Sequence, residues 1–391
     1  MANLGFRAFD ADHHYYEHEE AFTRHIDPRM KKRCMDWAVV NGRRRLLVGG
    51  KINRFIPNPT FDPVARPGSL DAFFRGKNPE AKDIRTLFGE LDPINPAYRD
   101  RDARIALLDT QQLEGAYFFP TLAVGMEESL RHDPEACVAA FRAFNRWIDD
   151  DWGFAYRDRI YAAPYMCLID EDAAVRELDW ALEKGARLVC MRAGPIAHPS
   201  GSCSPGDKRF DRFWSRVAEA GITVAYHSGD AGYQKFADEW GVGGEFQAFD
   251  YDALRMCLSP APIRDTIAAL VCHRVFERHP GLRVATIESG SSWVAPLLAA
   301  LKKTHGQMPM SFGHDPVELV QRHVWVSPYY EDDLAGLKSD LGADHILFGS
   351  DYPHAEGLAE PTEFIHDLEG YDADEVRLVM RENALGLLRA P

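Results

Sequence analysis

Ionisable side chains follow one predicted β-strand after another in this sequence. They belong to Asp12, His14, Arg192, His227, Glu288, Asp351 and His354. A single Asp or His at a strand end usually makes a structural hydrogen bond, but here two imidazoles and three carboxylates recur at four strand ends. Because unpaired buried carboxylates are costly, this recurrence predicts a bound divalent cation. The candidate metal ligands are Asp12, His14, His227, Glu288 and Asp351.

The elements that would position these residues alternate between strands and helices. Eight short segments rich in Val, Ile, Phe and Tyr are predicted as strands buried on both faces. They cover residues 6–11, 115–120, 160–168, 186–191, 222–228, 283–289, 323–327 and 345–350. Amphipathic stretches between the strands predict helices over residues 101–115, 170–186, 262–279 and 373–388.

This alternation predicts an α/β fold, a TIM-like (β/α)8 barrel. The competing doubly wound sheet normally has a glycine-rich phosphate turn after its first strand. This chain has Asp12, His13 and His14 at that point. Asp12 and His14 are two residues apart and therefore share one face of a strand. Since barrel enzymes hold reactive side chains at the carboxyl ends of their strands, the ionisable residues would meet at one opening.

Two segments between predicted strands are longer than ordinary loops. Residues 18–100 would form a large insertion after the first strand, with a β-hairpin over residues 34–50 and Asn41-Gly42 at its turn. Residues 229–260, after the fifth strand, would form a lid-like loop. Long loops at the strand ends of a barrel usually cover the substrate. We expect residues 1–391 to form one domain built around the barrel.

The composition argues against several classes of protein. The 45 Lys and Arg against 60 Asp and Glu give a formal net charge of −15, which argues against a nucleic-acid-binding surface. No apolar run approaches the ~20 residues of a membrane span, and the N-terminus does not resemble a secretion signal, so we expect a cytoplasmic protein. The seven Cys residues are widely spaced and odd in number, which predicts reduced thiols rather than disulfides.

Four segments carry a family resemblance. FDADHHYYE at residues 9–17 resembles the opening motif of the amidohydrolase superfamily, in its amidohydrolase-related (aminocarboxymuconate-semialdehyde decarboxylase-like) branch. YHSGD at 226–230 is similar to the strand-five histidine motif, and VFERHPGLRVATIESG at 275–290 to the strand-six signature. LFGSDYPHAEG at 347–357 resembles the closing motif. The resemblance implies a TIM-like barrel and a divalent metal. It also implies ligands at Asp12, His14, His227 and Asp351.

The sequence departs from the family pattern at two positions. Asp12 replaces the first His of the usual H-x-H motif, and Glu288 stands where relatives often have a strand-six His. These oxygen ligands favour Mn or Fe, with Zn still open. The site would hold one or two ions, and two ions would need Glu288 or another carboxylate as a bridge. No Lys lies on a predicted strand, which excludes a carbamylated lysine bridge and Schiff-base chemistry.

Three residues are candidates for catalysis. Asp351 would take a proton from a metal-activated water, as its counterpart does in relatives. His354 would donate a proton or orient Asp351. Arg192 would bind a substrate carboxylate in a bidentate geometry, although an ion pair with a nearby acid is an equal alternative. An aromatic row of Tyr15, Tyr16, Tyr329, Tyr330 and Trp293 would line an apolar pocket, or simply pack in the core.

Three functions are compatible with these residues. The first is a metal-dependent hydrolase or non-oxidative decarboxylase that acts on a small molecule, either an organic acid or a cyclic secondary metabolite. The alternative is a non-haem iron oxygenase on the same barrel, with a di-iron centre as one form, because His and carboxylate ligands with open positions also suit oxygen activation. A non-catalytic binding barrel is the third. We expect a homodimer, as relatives often are.

Overall fold

The computed structural model describes residues 4–389 except 199–200, 243, 246 and 250–251. Its strands are β1 (Ala8–Tyr15), β2 (Met35–Val40), β3 (Arg43–Val48), β4 (Lys51–Ile52), β5 (Val64–Ala65), β6 (Leu91–Asp92), β7 (Leu113–Pro120), β8 (Ile160–Ala162), β9 (Leu188–Arg192), β10 (Ile196–His198), β11 (Gly201–Cys203), β12 (Thr223–His227), β13 (Arg283–Ile287) and β14 (Val324–Val326).

The α-helices alternate with these strands along most of the chain. They are α1 (Asp71–Phe74), α2 (Ile84–Leu87), α3 (Arg101–Thr110), α4 (Pro134–Asp151), α5 (Glu171–Glu183), α6 (Asp211–Ala220), α7 (Gln234–Glu239), α8 (Ala253–Leu258), α9 (Ala261–Cys272), α10 (Val275–Arg278), α11 (Val294–Gln307), α12 (Pro316–His323), α13 (Leu334–Leu341), α14 (Ala373–Arg377) and α15 (Asn383–Leu387). Aspartates cap several of them, and the Asp170 side chain accepts a hydrogen bond from Ala173 N at 2.8 Å at the start of α5.

Two arcs of parallel strands form the barrel. One arc has the order β1-β7-β8 and the other β14-β13-β12-β9. A parallel bridge between Tyr165 and Cys190 joins the arcs on one side. On the other side residues 346–352 join them, because Ile346 bridges to Val326 and Tyr352 bridges to His13. The ring with its outer helices is the α/β barrel that the sequence predicts.

The first strand is longer than predicted. The sequence predicts a strand over residues 6–11, but β1 runs to Tyr15 and is buried at every position. The polar residues stay in the strand because pairing with β7 resumes at His13 after a register shift between Asp10 and His13, with His14 opposite Phe119. Asp12 and His14 therefore lie within the strand, near its carboxyl end, rather than beyond it.

Other predicted boundaries are wrong in ways that follow from single residues. The helix predicted to end at Gly115 ends at Thr110, and Gln112 takes the left-handed turn with φ 59°. Gly115 lies inside β7, where an added Cβ would come within 2.7 Å of the Arg159 carbonyl oxygen. The strand predicted over 160–168 is regular only as β8, because Pro164 has no N–H for the ladder.

The segment between β1 and α3 contains two small antiparallel sheets. One has the order β2-β3-β4 and the other joins β5 to β6. The predicted hairpin is present as β2 and β3, and Asn41 and Gly42 both have positive φ at its turn. Glu17, two residues after the end of β1, is buried. The later segment 229–260 contains α7 and α8.

Two further expectations concern the cysteines and helices that could span a membrane. All seven cysteines are free, and the Sγ atoms of Cys137 and Cys167 lie 3.5 Å apart in the core. In the part of the chain that the structure describes, no helix has both the length and the apolar character needed to cross a bilayer.

Candidate metal centre

Six side chains converge at the carboxyl ends of the barrel strands. In a first group, each residue offers a ligand atom within 4.8 Å of all the others; the group is Asp12, His14, His227 and Glu288. A second group meets the same limit and shares two of these residues; it is His14, Glu288, Asp351 and His354. The structure thus brings together the five residues predicted as metal ligands and places His354 beside them.

His14 is at the centre of this cluster. Its Nε2 lies 3.3 Å from Asp12 Oδ1, 3.3 Å from Asp351 Oδ1 and 3.5 Å from Glu288 Oε2. His227 Nε2 approaches the same set, at 3.3 Å from Glu288 Oε2 and 3.6 Å from Asp12 Oδ1. Two imidazoles therefore face three carboxylates across a gap of one ion's width.

The close approach of β1 to the closing segment, residues 346–352, depends on a buried carboxylate and a glycine. Asp10 Oδ1 accepts hydrogen bonds at 3.0 Å from both Asp12 N and Ser350 N, which ties the two segments together. At Gly349, an added Cβ would lie 2.7 Å from the Asp12 Cβ. A larger residue at this position would push the closing segment away from Asp12.

Two of the carboxylates sit on strained backbone. Glu288 follows β13 with φ 48°, and Asp351 has φ 56° in the closing segment. Non-glycine residues rarely adopt this left-handed conformation, which costs of order 1–3 kcal/mol when the surroundings enforce it. In both cases the turn directs a strand-end side chain into the cluster.

Hydrogen bonds outside the cluster set the orientation of two imidazoles. His227 Nδ1 lies 2.9 Å from the Ser228 carbonyl oxygen and must donate to it, which leaves the Nε2 lone pair for the cluster. The Thr121 hydroxyl donates to Tyr15 O at 2.9 Å and lies 3.0 Å from His354 Nε2. Since that hydroxyl has only one proton, it accepts from His354 Nε2–H, and the neutral His354 directs its Nδ1 lone pair at Asp351.

A buried arginine supports the strand from the opposite side. Arg104 donates to Ala97 O at 2.6 Å and to His14 O at 2.9 Å, and its Nη1 lies 3.1 Å from His13 Nδ1. His13 Nε2 in turn lies 3.2 Å from Asp10 Oδ2. Burial lowers the pKa of Arg104 to about 10, which leaves it charged at neutral pH. The contacts of Arg104, His13 and Asp10 together fix the backbone that carries His14.

The cluster shifts the pKa values of its first members strongly. Burial alone would lower the pKa of His14, but Asp12 and Glu288 raise it to about 10. Burial alone would raise the pKa of Asp12, yet His14 and His227 hold it well below its usual range. Without a metal, a proton on His14 provides the positive charge between these carboxylates.

The members near the closing segment shift in the opposite sense. Burial, followed by repulsion from Glu288 and Glu356, raises the pKa of Asp351 well above its usual range. Burial and the neighbouring His14 lower the pKa of His354 well below its usual range. Burial and Glu288 also raise the pKa of Glu356 to about 8.

The donor atoms fit a divalent metal. Several are fully buried and have no hydrogen-bond partner in the described part of the chain; they include Asp12 Oδ1, His14 Nε2, His227 Nε2, Asp351 Oδ1 and His354 Nδ1. His354 Nδ1 and Asp351 Oδ1 are 2.6 Å apart but are not aligned for a hydrogen bond. Buried lone pairs that face one another are satisfied by a cation, and mixed carboxylate and imidazole sites suit Mn, Fe and Zn.

Arg192 does not reach this centre. Its buried guanidinium lies 3.4 Å from Glu127 Oε1 and 3.4 Å from Glu128 Oε2, and it donates to Pro195 O at 2.7 Å. It does not line the cavity above the cluster, in the described structure. Its placement matches the ion pair that the sequence left as an alternative, rather than the predicted contact with a substrate carboxylate. His273, at the end of α9, pairs with a serine: its Nδ1 lies 2.7 Å from Ser204 Oγ.

A cavity of about 870 Å³ opens above the cluster. Of the aromatic row considered in the sequence, Tyr16, Tyr329 and Tyr330 line it. Tyr15 instead stacks in the core on Trp152, with ring centroids 5.2 Å apart. Trp293 is also buried, and its indole donates to Gly290 O at 2.9 Å.

Three functional candidates escaped the sequence analysis. Thr121 follows β7, and only its contact with His354 reveals it. Glu356 lines the cavity two residues after His354. It lies inside the closing motif at residues 347–357, and its place in that motif was a signal that could have identified it. Glu17 is buried and accepts from Leu122 N at 2.8 Å, and burial raises its pKa to about 7.

Comparison with known proteins agrees with the barrel and the cluster. The family model described as amidohydrolase matches residues 10–390, and the chain belongs to this family. A crystal structure of the amidohydrolase map2389c from Mycobacterium avium subsp. paratuberculosis K-10 is similar throughout. It has 44% identity and a TM-score of 0.95, covering 100% of this chain and 99% of that one. No match was found among curated proteins.

More distant structures share the fold. Dihydroxybenzoic acid decarboxylase from Polaromonas sp. JS666, solved with bound manganese and 2-nitroresorcinol, has 15% identity and a TM-score of 0.54 over 86% of this chain and 95% of that one. 5-Carboxyvanillate decarboxylase LigW from Sphingomonas paucimobilis has 12% identity and a TM-score of 0.58 over 99% and 100%. At this identity the likeness concerns the fold.

Proposed function

We propose that this protein is a metal-dependent, non-oxidative decarboxylase of small-molecule acids. The observation that carries the proposal is the cluster of three carboxylates and three imidazoles at the inner end of an apolar cavity, which Glu356 also lines. The relatives of similar fold whose names state a reaction, on 5-carboxyvanillate and dihydroxybenzoic acid, agree with this choice.

The chain's own residues would hold the metal in two overlapping sets. Asp12, His227 and Glu288 form the inner side, and Asp351 with His354 forms the outer side. His14 has one lone pair for the cluster and serves one ion, whereas the two oxygens of Glu288 can bridge. Three carboxylates carry more negative charge than one divalent ion neutralises. We therefore favour two ions, with Mn or Fe ahead of Zn.

Decarboxylation needs a bound substrate carboxylate, a neighbouring electron sink and a proton. A divalent ion, when bound, supplies positive charge that orients and polarises the substrate carboxylate or activates a water. In decarboxylation the bond from carbon to the carboxylate breaks, CO2 leaves, and the electron pair remains on the carbon. The carboxyl proton of Glu356 then moves to that carbon, and solvent restores the proton. The apolar walls exclude water that would compete for this step.

Hydrolysis is the alternative that uses the same residues. In that case Asp351 would accept the proton of an attacking water, and His354 would keep Asp351 in place. The two reactions differ in what they take from the solvent. Decarboxylation puts a solvent hydrogen on carbon, whereas hydrolysis puts a solvent oxygen into the product.

Isotope labelling tests the proposal. The manganese-loaded protein is incubated with a panel of hydroxylated aromatic acids in deuterated water and, separately, in oxygen-18 water. We expect a product that has lost CO2 and gained deuterium on carbon, without oxygen-18. A product with oxygen-18 and no loss of CO2 would contradict decarboxylation and establish hydrolysis.

Dioxygen consumption separates the oxygenase alternative. We expect equal turnover with and without oxygen, since the proposed reaction transfers no electrons to an acceptor. Turnover that stops under nitrogen and requires iron would replace the proposal by a non-haem iron oxygenase.

The homodimer and the cytoplasmic location also stay predictions, and sedimentation of the purified protein would test the dimer.

A further inference from the structure

The cavity above the metal centre is much larger than a single aromatic ring. Its volume of about 870 Å³ is near the upper end of the ~300–1,000 Å³ that ligand cavities span. Resting on the proposed function, we infer that the substrate is a large, mostly apolar molecule whose single anionic group sits at the metal centre.

Two segments outside the barrel build the apolar walls. Phe61 and Phe88 come from the stretch before α3, and Phe236 and Trp240 come from the stretch after β12. The segments contact each other directly, because the rings of Phe88 and Phe249 lie 4.7 Å apart edge to face. The walls are therefore one continuous surface, rather than two independent loops.

The rim of the cavity leaves large apolar side chains in solvent. Trp240 is 72% exposed and Phe236 is 51% exposed, although both face the cavity. Covering exposed aromatic groups of this size with an apolar ligand is favourable, because it removes apolar surface from water. A ligand long enough to reach from the metal centre to the rim would cover both.

The charges along the walls disfavour a second anionic group. Among the described lining residues, Arg255 is the one Lys or Arg, and its guanidinium donates to Val242 O at 2.7 Å. Carboxyl groups also line the cavity at Asp230, Asp265 and Glu331. These carboxyls outnumber the one lining guanidinium, that of Arg255, so a second anionic group away from the metal would meet more negative than positive charge. The substrate body is therefore neutral, and only its head group is anionic.

Hydroxamates test the inference because their head group binds divalent metals while the tail can be varied. Calorimetry on the manganese-loaded protein compares acetohydroxamate, octanohydroxamate and the monohydroxamate of suberic acid, which adds a carboxylate at the far end. We expect octanohydroxamate to bind at least ~30-fold more tightly than acetohydroxamate, since each buried methylene is favourable. We expect the suberic derivative to lose at least ~10-fold relative to octanohydroxamate.

A variant pair locates the tail. Ala261, at the start of α9, lines the cavity, and Ala300 is exposed on α11. Ala261→Trp should weaken octanohydroxamate and leave acetohydroxamate unchanged, whereas Ala300→Trp should change neither. Equal affinity of the three wild-type ligands would overturn the inference and leave the metal centre standing. Failure of acetohydroxamate to bind would instead contradict the proposed metal centre, and the inference with it.

Discussion

Nδ1 of His354 lies 2.6 Å from Oδ1 of Asp351, and both atoms are buried without a hydrogen-bond partner in the described structure. Two lone pairs at this distance repel each other unless a proton or a cation lies between or beside them. Because the other ring nitrogen of His354 faces the Thr121 hydroxyl, its orientation is fixed from outside the cluster.

Removing the negative charge of Asp351 should abolish activity without unfolding the protein. Asp351→Asn keeps the size of the side chain but loses a metal-binding oxygen, so we expect at least a ~10³-fold loss of turnover on the acid found by labelling. Since burial already disfavours the Asp351 carboxylate, the metal-free variant should unfold at the same temperature as wild type or higher. The exposed Asp344→Asn is the matched control. Retained turnover in Asp351→Asn would refute the role of this residue.

The Thr121 hydroxyl should matter for metal affinity even though it is outside the cluster. Thr121→Val preserves the shape and removes the group that accepts from His354 Nε2. We expect ~10–100-fold weaker manganese binding, as is typical when a partner of a metal-binding His is lost. Thr121→Ser should restore the affinity. If the Val variant binds manganese as tightly as wild type, the proposed orientation of His354 is wrong.

Metal binding should release protons and become tighter as the pH rises. In the metal-free protein the pKa of His14 is raised to about 10, so at neutral pH this residue is protonated and its proton must leave before Nε2 can bind an ion. Each displaced proton makes the apparent affinity rise ~10-fold per pH unit below that pKa. Calorimetry in two buffers of different protonation enthalpy measures the release. Manganese affinity that is constant from about pH 6 to pH 8 would contradict this account.

The buried guanidinium of Arg104 should contribute strongly to stability. Arg104→Met removes the donors to Ala97 O and His14 O and leaves those carbonyls unsatisfied in the core. We expect the free energy of unfolding to fall by ~3–5 kcal/mol in urea titrations. Arg29, which is 88% exposed, provides the control Arg29→Met, with a change within ~0.5 kcal/mol. A loss below ~1 kcal/mol for Arg104→Met would show that the hydrogen bonds of Arg104 to Ala97 O and His14 O do not stabilise the fold.

The sequence predicted the parts of this site that depend on strand order. Asp12, His227 and Glu288 stand at or near the ends of parallel strands, and a barrel brings such ends together whatever the details of its loops. It could not predict the contact of Thr121 with His354, or decide between the two alternatives for Arg192, because their partners come from distant segments that only the folded chain brings close. Arg192 faces Glu127 and Glu128 since burial of a guanidinium requires nearby carboxylates.

Strand boundaries failed for a related reason. The polar residues of β1 break the apolar pattern that defines a strand in sequence, although His13 and His14 remain paired with β7 after a register shift between Asp10 and His13. The closing segment around Phe348 reads as a strand but makes only isolated bridges and single hydrogen bonds, such as Ala11 N to Phe348 O at 2.8 Å. Asp351 has a left-handed backbone conformation, which interrupts regular strand pairing and directs its carboxylate inward.

Anomalous diffraction from crystals grown with manganese tests the central claim most directly. We predict anomalous peaks within bonding distance of His14, His227 and Glu288, and a second peak beside Asp351 and His354. Data collected on either side of the manganese absorption edge would identify the ion. Crystals saturated with manganese that show no peak in this cluster, while its side chains keep the positions described above, would contradict the account.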